Sequence, residues 1–172
     1  MLRAGMETLE SQGANRVSLR SLAEAADVSK TAPYRHFSNK EAFLAALADE
    51  GYRMLYAALE GPANKGPGAA NAMGKAYMEF ATAHPELYRL MTSPISRNIP
   101  QEPVPWARKA LLLLKKVLAE RAAASGEGGS VDSVAAAWGY IHGLSLVRID
   151  GIFPADMPEP DWDRLAFELP SF

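Results

Sequence analysis

Residues 15–44 read Asn15-Arg-Val-Ser-Leu-Arg-Ser-Leu-Ala-Glu-Ala-Ala-Asp-Val-Ser-Lys-Thr-Ala-Pro-Tyr-Arg-His-Phe-Ser-Asn-Lys-Glu-Ala-Phe-Leu44, and their spacing predicts a helix-turn-helix. Ser18 is a candidate N-cap, with Leu19, Leu22, Ala23 and Ala26 following at helical spacing. Asp27-Val28-Ser29 is the expected turn, with Val28 as its buried plug. Ser29 or Asp27 would cap a second helix from Lys30 to Phe37. That helix has few apolar residues, so most of its surface must face something other than a core. Lys30, Thr31, Tyr34, Arg35 and His36 carry donors suited to phosphates and base edges of DNA. Pro33 would be the fourth helical residue after a Ser29 cap. Its missing N–H would lose only the first intrahelical bond there, so the helix is expected to survive it.

Working outward, the 172-residue chain is long enough for a real core and fits one or two small domains. Apolar residues make up 48% of it, yet no useful run of alternating β-branched residues occurs, so an all-α fold is expected. There is no cysteine, which excludes disulfides and thiolate metal sites. No apolar stretch approaches a membrane span, and the start lacks a signal-peptide pattern, so no membrane partner and a cytoplasmic location are expected. A net charge of −2 argues against whole-surface attraction to nucleic acid. The distribution says more. Arg16, Arg20, Lys30, Arg35 and Lys40 face only Glu24 and Asp27 within Asn15–Lys40, a net +3. From Asp150 to Phe172 six acids face Arg164 alone, a net −5. A basic motif on a mildly acidic body suits a site-specific DNA binder; chance clustering on solvated faces is the plainer alternative.

Along the chain, a first helix is expected to end near Gln12, stopped by Gly13. After the motif, Asn39 should cap a long helix ending at Gly61-Pro62, followed by a loop to Ala69. Further helices are expected at Ala70–Ala83, Pro85–Met91, Trp106–Ala124 and from Ser130 or Asp132 to Asp150. The proline-bearing segment Ser93–Pro105 should be a loop, and Ser125–Gly129 a connection. The proline-rich tail has room for one short helix near Trp162 to Glu168.

Catalysis has little support. His36, His84 and His142 pair with no nucleophile or second ligand at a recognisable spacing, and Gly126-Glu-Gly-Gly129 follows no strand. No enzyme activity, metal or cofactor is expected. His142 lies four residues after Trp138, on the same helix face. It is either a core histidine or the polar anchor of a ligand pocket. Met54, Tyr77, Phe80, Tyr88, Met91, Trp106 and Trp138 are soft or aromatic side chains that fit a plain core or, with His142, a mostly apolar cavity. Ala135, Gly139 and Gly143 recur every four residues and form a strip where another helix can approach closely, within the chain or from a second copy. Leu111, Leu114 and Leu118 form an apolar stripe on the preceding helix.

The run from Val17 to Phe43, with Tyr34-Arg-His-Phe37 and Lys40-Glu41, is very similar to the DNA-binding half of TetR-type transcriptional regulators. Ala83-His-Pro-Glu-Leu-Tyr-Arg-Leu-Met91 and Trp138-Gly-Tyr-Ile-His142-Gly143 look like the ligand-binding half of the subgroup named for its Trp-His-Gly residues. The resemblance implies a helix-turn-helix DNA-binding domain at 1–45, joined by a long helix to a ligand-binding and dimerisation domain at 46–172. It places Lys30, Thr31 and Tyr34 at the major groove, with Arg20, Ser29, Tyr34, Arg35, His36 and Lys40 completing the DNA contacts. It also assigns Leu111, Leu114, Leu118, Ala135, Gly139 and Gly143 to a homodimer interface. The function expected is a repressor released from double-stranded operator DNA by a small, mostly apolar effector. The alternative is a helical small-molecule binder or enzyme whose first helices are only structural.

Overall fold

A computed structural model describes residues 1–101, 104–125 and 131–167. Among them are eight α-helices and no strand: α1 (Leu2–Gln12), α2 (Leu19–Ala25), α3 (Lys40–Ala63), α4 (Ala69–Ala83), α5 (Pro85–Met91), α6 (Trp106–Ser125), α7 (Val131–Asp150) and α8 (Trp162–Phe167). The expected all-α class holds. No helix among the described residues is long and apolar enough to cross a membrane. Pro103, the connection beyond Ser125, the Ser130 cap, Glu168 and Pro170 lie outside the described residues.

Contacts divide the chain into two compact units, each discontinuous in sequence. The first joins Met1–Met54 to His84–Trp106; the second joins Leu55–Ala83 to the residues from Ala107 onward. The expected division at residue 45 concerns function and falls inside α3.

In the first unit, α1 packs on α5. Leu9, Val17, Leu22, Phe43, Leu47, Leu87, Tyr88 and Met91 are buried, and a large apolar side chain buried this way contributes about 1.5–3 kcal/mol. Gly51 permits a close helix crossing. A Cβ there would lie 2.7 Å from Met91 Sδ and 2.8 Å from Leu87 Cδ1, closer than carbon tolerates. Polar ties fix the same region. Tyr52 donates to the Met91 carbonyl at 2.8 Å, the Trp106 N–H donates to Asp49 Oδ1 at 3.1 Å, and Glu10 Oε1 meets His84 Nδ1 at 2.8 Å.

In the second unit, α4 packs against α7 and α8. Met73, Tyr77, Met78, Phe80 and Ala81 of α4 are buried, as are Ala137, Ile141 and Ser145 of α7. The Ser145 hydroxyl is satisfied by the Ile141 carbonyl at 2.8 Å. Lys75 Nζ to Asp163 Oδ2 (3.3 Å) and Tyr140 Oη to the Leu165 carbonyl (3.3 Å) tie down the short tail helix.

Helix ends follow the expected chemistry with one correction. Gly13 ends α1 at φ 79°, its N–H donating to the Leu9 carbonyl at 2.8 Å. Asn39 caps α3, its Oδ1 accepting from the Ala42 N–H at 2.8 Å. However, α3 does not stop at Gly61-Pro62 but runs to Ala63. Pro62 lies in the last turn, where it removes a single bond. The Asn64 side chain donates to the Glu60 carbonyl at 3.0 Å, one of the last carbonyls of the helix that lack an intrahelical donor. Among the described residues of the 93–105 segment, Pro94–Asn98 form a 3₁₀ turn opened by the Ser93 hydroxyl.

Candidate nucleic-acid interface

The interface is built on α2. Ser18 Oγ accepts from the Ser21 N–H at 3.5 Å, and Leu19, Leu22 and Ala23 bury one face. Arg20 and Glu24 stand on the exposed face. The exit from α2 is a Schellman turn: Asp27 N–H donates to the Glu24 carbonyl (3.2 Å) and Val28 N–H to the Ala23 carbonyl (3.0 Å). Asp27 occupies the left-handed position at φ 50°, which a short polar side chain tolerates better than other non-glycine residues.

Two expectations are corrected here. Val28 is not the buried plug of the turn, since it is 44% exposed. Pro33 is fully buried in its place, on a segment that packs against α2. Nor is the stretch Lys30–Phe37 an α-helix. It contains a 3₁₀ turn, Ala32–Arg35, flanked by turn residues. Proline accounts for both. Pro33 has no N–H for an i→i−4 bond, its ring crowds the Ser29 carbonyl, and it disfavours the α region at Ala32. The backbone answers with i→i−3 bonds, Ala32 N–H to Ser29 O (2.9 Å), Tyr34 N–H to Thr31 O (3.2 Å) and His36 N–H to Pro33 O (3.1 Å), and an i→i−4 bond forms past the proline, Phe37 N–H to Pro33 O (3.0 Å).

The tight segment still presents the expected donors. Ser29, Lys30, Thr31, Tyr34, Arg35 and His36 are all exposed, and Tyr34, an aromatic, is 55% exposed. Ser29 Oγ and Thr31 Oγ1 lie 3.2 Å apart. Lys40, only half-exposed, has a structural task as well: its Nζ donates to the Asn15 carbonyl at 3.0 Å, joining the start of α3 to the approach to α2. Phe37 anchors the exit edge-on against Phe43, centroids 4.9 Å apart.

Glu24 was missed in the sequence. Its Oε1 lies 3.4 Å from both Arg20 Nε and Lys30 Nζ. The Lys30 hydrogen bond, then that of Arg20, holds its carboxyl below the usual carboxylate range. The i, i+4 spacing of Arg20 and Glu24 was the available signal.

The eight candidate ligand residues divide between the units. Met54, Tyr88, Met91 and Trp106 fall in the first, where Tyr88 and Met91 have no exposure. Tyr77, Phe80, Trp138 and His142 fall in the second. There, Trp138 stacks on His142 with centroids 5.7 Å apart, and its Nε1 lies 3.3 Å from the Tyr77 hydroxyl. Burial pushes the His142 imidazole below its ordinary pKa, favouring the neutral ring. Among the described residues no three His, Asp or Glu side chains are grouped to hold a metal.

Of the candidate interface residues, Leu111, Ala135 and Gly139 are exposed, and Leu114, Leu118 and Gly143 are half-buried. A Cβ built on Gly139 or Gly143 would meet nothing within 4 Å.

Residues 1–47 match the family model of bacterial regulatory proteins, tetR family, and residues 70–169 match that of the tetracyclin repressor-like C-terminal domain. The chain belongs to the TetR family. It is therefore a DNA-binding transcriptional regulator with a ligand-binding C-terminal domain, in a family of regulators rather than enzymes. A protein of unknown function from Rhodococcus sp. RHA1 is 30% identical, with a TM-score of 0.74, over 96% of this chain and 87% of that one. The TetR family transcriptional regulator PfmR from Thermus thermophilus is 21% identical, with a TM-score of 0.61, over 96% and 91%. AibR, solved in complex with isovaleryl coenzyme A and operator DNA, is 19% identical, with a TM-score of 0.60, over 96% and 93%. The last two likenesses concern the fold. No curated protein matches significantly.

Proposed function

We propose that this TetR-family regulator is a repressor that binds operator DNA as a homodimer and is released by a small, mostly apolar effector. The observation that carries the DNA side is the row of exposed donors from Ser29 to His36, held on the Pro33 turn against α2. Lys30, Thr31 and Tyr34 meet base edges, while Arg20, Ser29, Arg35, His36 and Lys40 meet phosphates. Family membership supports the same reading.

The dimer uses the α7 strip. Among the described residues Gly139 and Gly143 have no neighbour at the Cβ position, and the exposed Leu111 on α6 supplies apolar surface. A two-fold dimer matches repeated half-sites about one helical turn of DNA apart. The effector is read at Trp138, His142, Tyr77 and Phe80, where Trp138 stacks on an imidazole that burial holds towards its neutral form. AibR was solved with isovaleryl coenzyme A, whose apolar part is the short branched acyl group, so that group is the first effector to try, both as isovalerate and as the thioester.

The test is fluorescence anisotropy with duplex DNA from upstream of the chain's own gene. Salt-sensitive binding, competed weakly by unrelated DNA and reversed by isovalerate or isovaleryl coenzyme A, supports the DNA-binding and effector parts of the reading. Binding that neither isovalerate nor its thioester reverses removes the short branched acyl group as effector. Absence of any DNA preference, with a small molecule still bound, returns the first helices to a structural role.

A further inference from the structure

Glu24 lies among the cations proposed to hold DNA. Its carboxylate is on the exposed face of α2, 3.4 Å from Lys30 Nζ and 3.4 Å from Arg20 Nε. Lys30 reaches it from the segment that follows the Schellman turn, so the pair links the two arms of the motif. All three side chains are more than half exposed, and in the free protein water screens such pairs until they contribute little stability.

Docking on DNA changes that balance. Phosphates bring negative charge to the same surface while water leaves it. On unmatched DNA both cations can turn only to phosphate, and the carboxylate between them opposes that contact in full. On a matching sequence Lys30 is engaged with Thr31 and Tyr34 at base edges rather than at phosphate, so the restraint weakens that complex less. Discrimination is a difference between affinities, and weakening the wrong complex raises it as surely as strengthening the right one.

We propose that Glu24 is a specificity-determining residue: it holds Lys30 and Arg20 back from phosphate and so suppresses sequence-independent DNA binding. The proposal rests on the docking of the 29–36 segment in the major groove. The Glu24 side chain lies off the buried face of α2, and its part in the turn is its backbone carbonyl, which Glu24→Gln retains, so the substitution keeps the shape of the motif and removes only the charge.

The experiment uses the full chain and two duplexes, an unselected random-sequence library and a sequence that the wild-type protein itself enriches from that library. Glu24→Gln should bind the unselected duplex roughly five- to thirtyfold more tightly at low salt, with a salt slope steeper by about one to two units as the released cations reach phosphate. Affinity for the enriched duplex should rise less, so the ratio of the two falls. In a Lys30→Met background the effect of Glu24→Gln should shrink, because one of the two restrained cations is gone. Equal gains on both duplexes, or no gain on the unselected one, would overturn the proposal. So would a selective loss on the enriched duplex, which would make Glu24 a base-reading acceptor. If wild-type protein enriches no sequence at all, the groove-docking reading itself fails, a result distinct from any of these.

Discussion

Asp27 shows how one residue sets the geometry of the motif. It takes the left-handed position of the α2 exit, at φ 50°, a place usually filled by glycine. Asp27→Gly should therefore stabilise the protein by about 1 kcal/mol, raising the melting temperature by roughly 2–4 °C in a chain of this size. A lower melting temperature in calorimetry would mean that the aspartate makes a compensating contact. Lys40 raises a different question, because its ammonium is held by the Asn15 carbonyl. Lys40→Ala should weaken binding to all DNA sequences by a similar factor and flatten the salt slope by about one unit. An unchanged slope together with a lowered melting temperature would assign Lys40 to the Asn15 tie alone.

At the scale of elements, the segment that follows the turn depends on its neighbours. A 3₁₀ turn of four residues has no independent stability. Pro33 inserted on the α2 side and Phe37 edge-on to Phe43 hold its two ends. The start of α3 is the platform, and Asn39 sets it with a 2.8 Å cap. Asn39→Ala should cost about 1 kcal/mol in denaturant unfolding, with an unchanged m-value. It should weaken DNA binding more than thermal stability suggests, because the 3₁₀ segment loses its C-terminal anchor. If unfolding shifts and DNA affinity does not, the Pro33 contact alone positions the donors.

For the whole molecule, assembly and effector response are the properties to test. Gly139→Leu fills a strip that no other described residue approaches, so it should spare the monomer fold. Across a close helix crossing the same leucine would cost roughly 1–3 kcal/mol, and sedimentation should show a weakened dimer with operator binding lost. A wild-type protein that sediments as a monomer at micromolar concentration would refute the dimer. His142 gives the molecule a pH response. Its folded pKa lies below the ordinary value of 6.5, so the unfolded chain takes up protons first as pH falls. The stability it contributes is present above 6.5 and is lost as pH drops through the lowered folded value. His142→Leu should flatten the decline in melting temperature between about pH 7 and pH 5, the window in which histidine titrates. An unaltered decline would place the acid sensitivity elsewhere.

Local chemistry settled much of this protein before any contact was known. Ser18, Gly13, Asn39 and Pro85 mark helix ends because caps and breakers act on the nearest few peptide groups, and the apolar spacing of Leu19, Leu22 and Ala23 defines the buried face of α2. The donor row from Ser29 to His36 was legible for the same reason: few apolar residues in a short element leave it facing outward. Tertiary structure decided what spacing does not encode. Whether Val28 or Pro33 plugs the turn depends on which side chain the 3₁₀ path turns toward α2. Whether Lys30 is available or restrained depends on the reach of Glu24 across the turn. Buried aromatics read alike in sequence, yet Tyr88 and Met91 went to the core of one unit while Trp138 and His142 stack in the other. Hydrophobicity drives burial without direction, so the sequence names the residues that leave water, and packing alone assigns their partners.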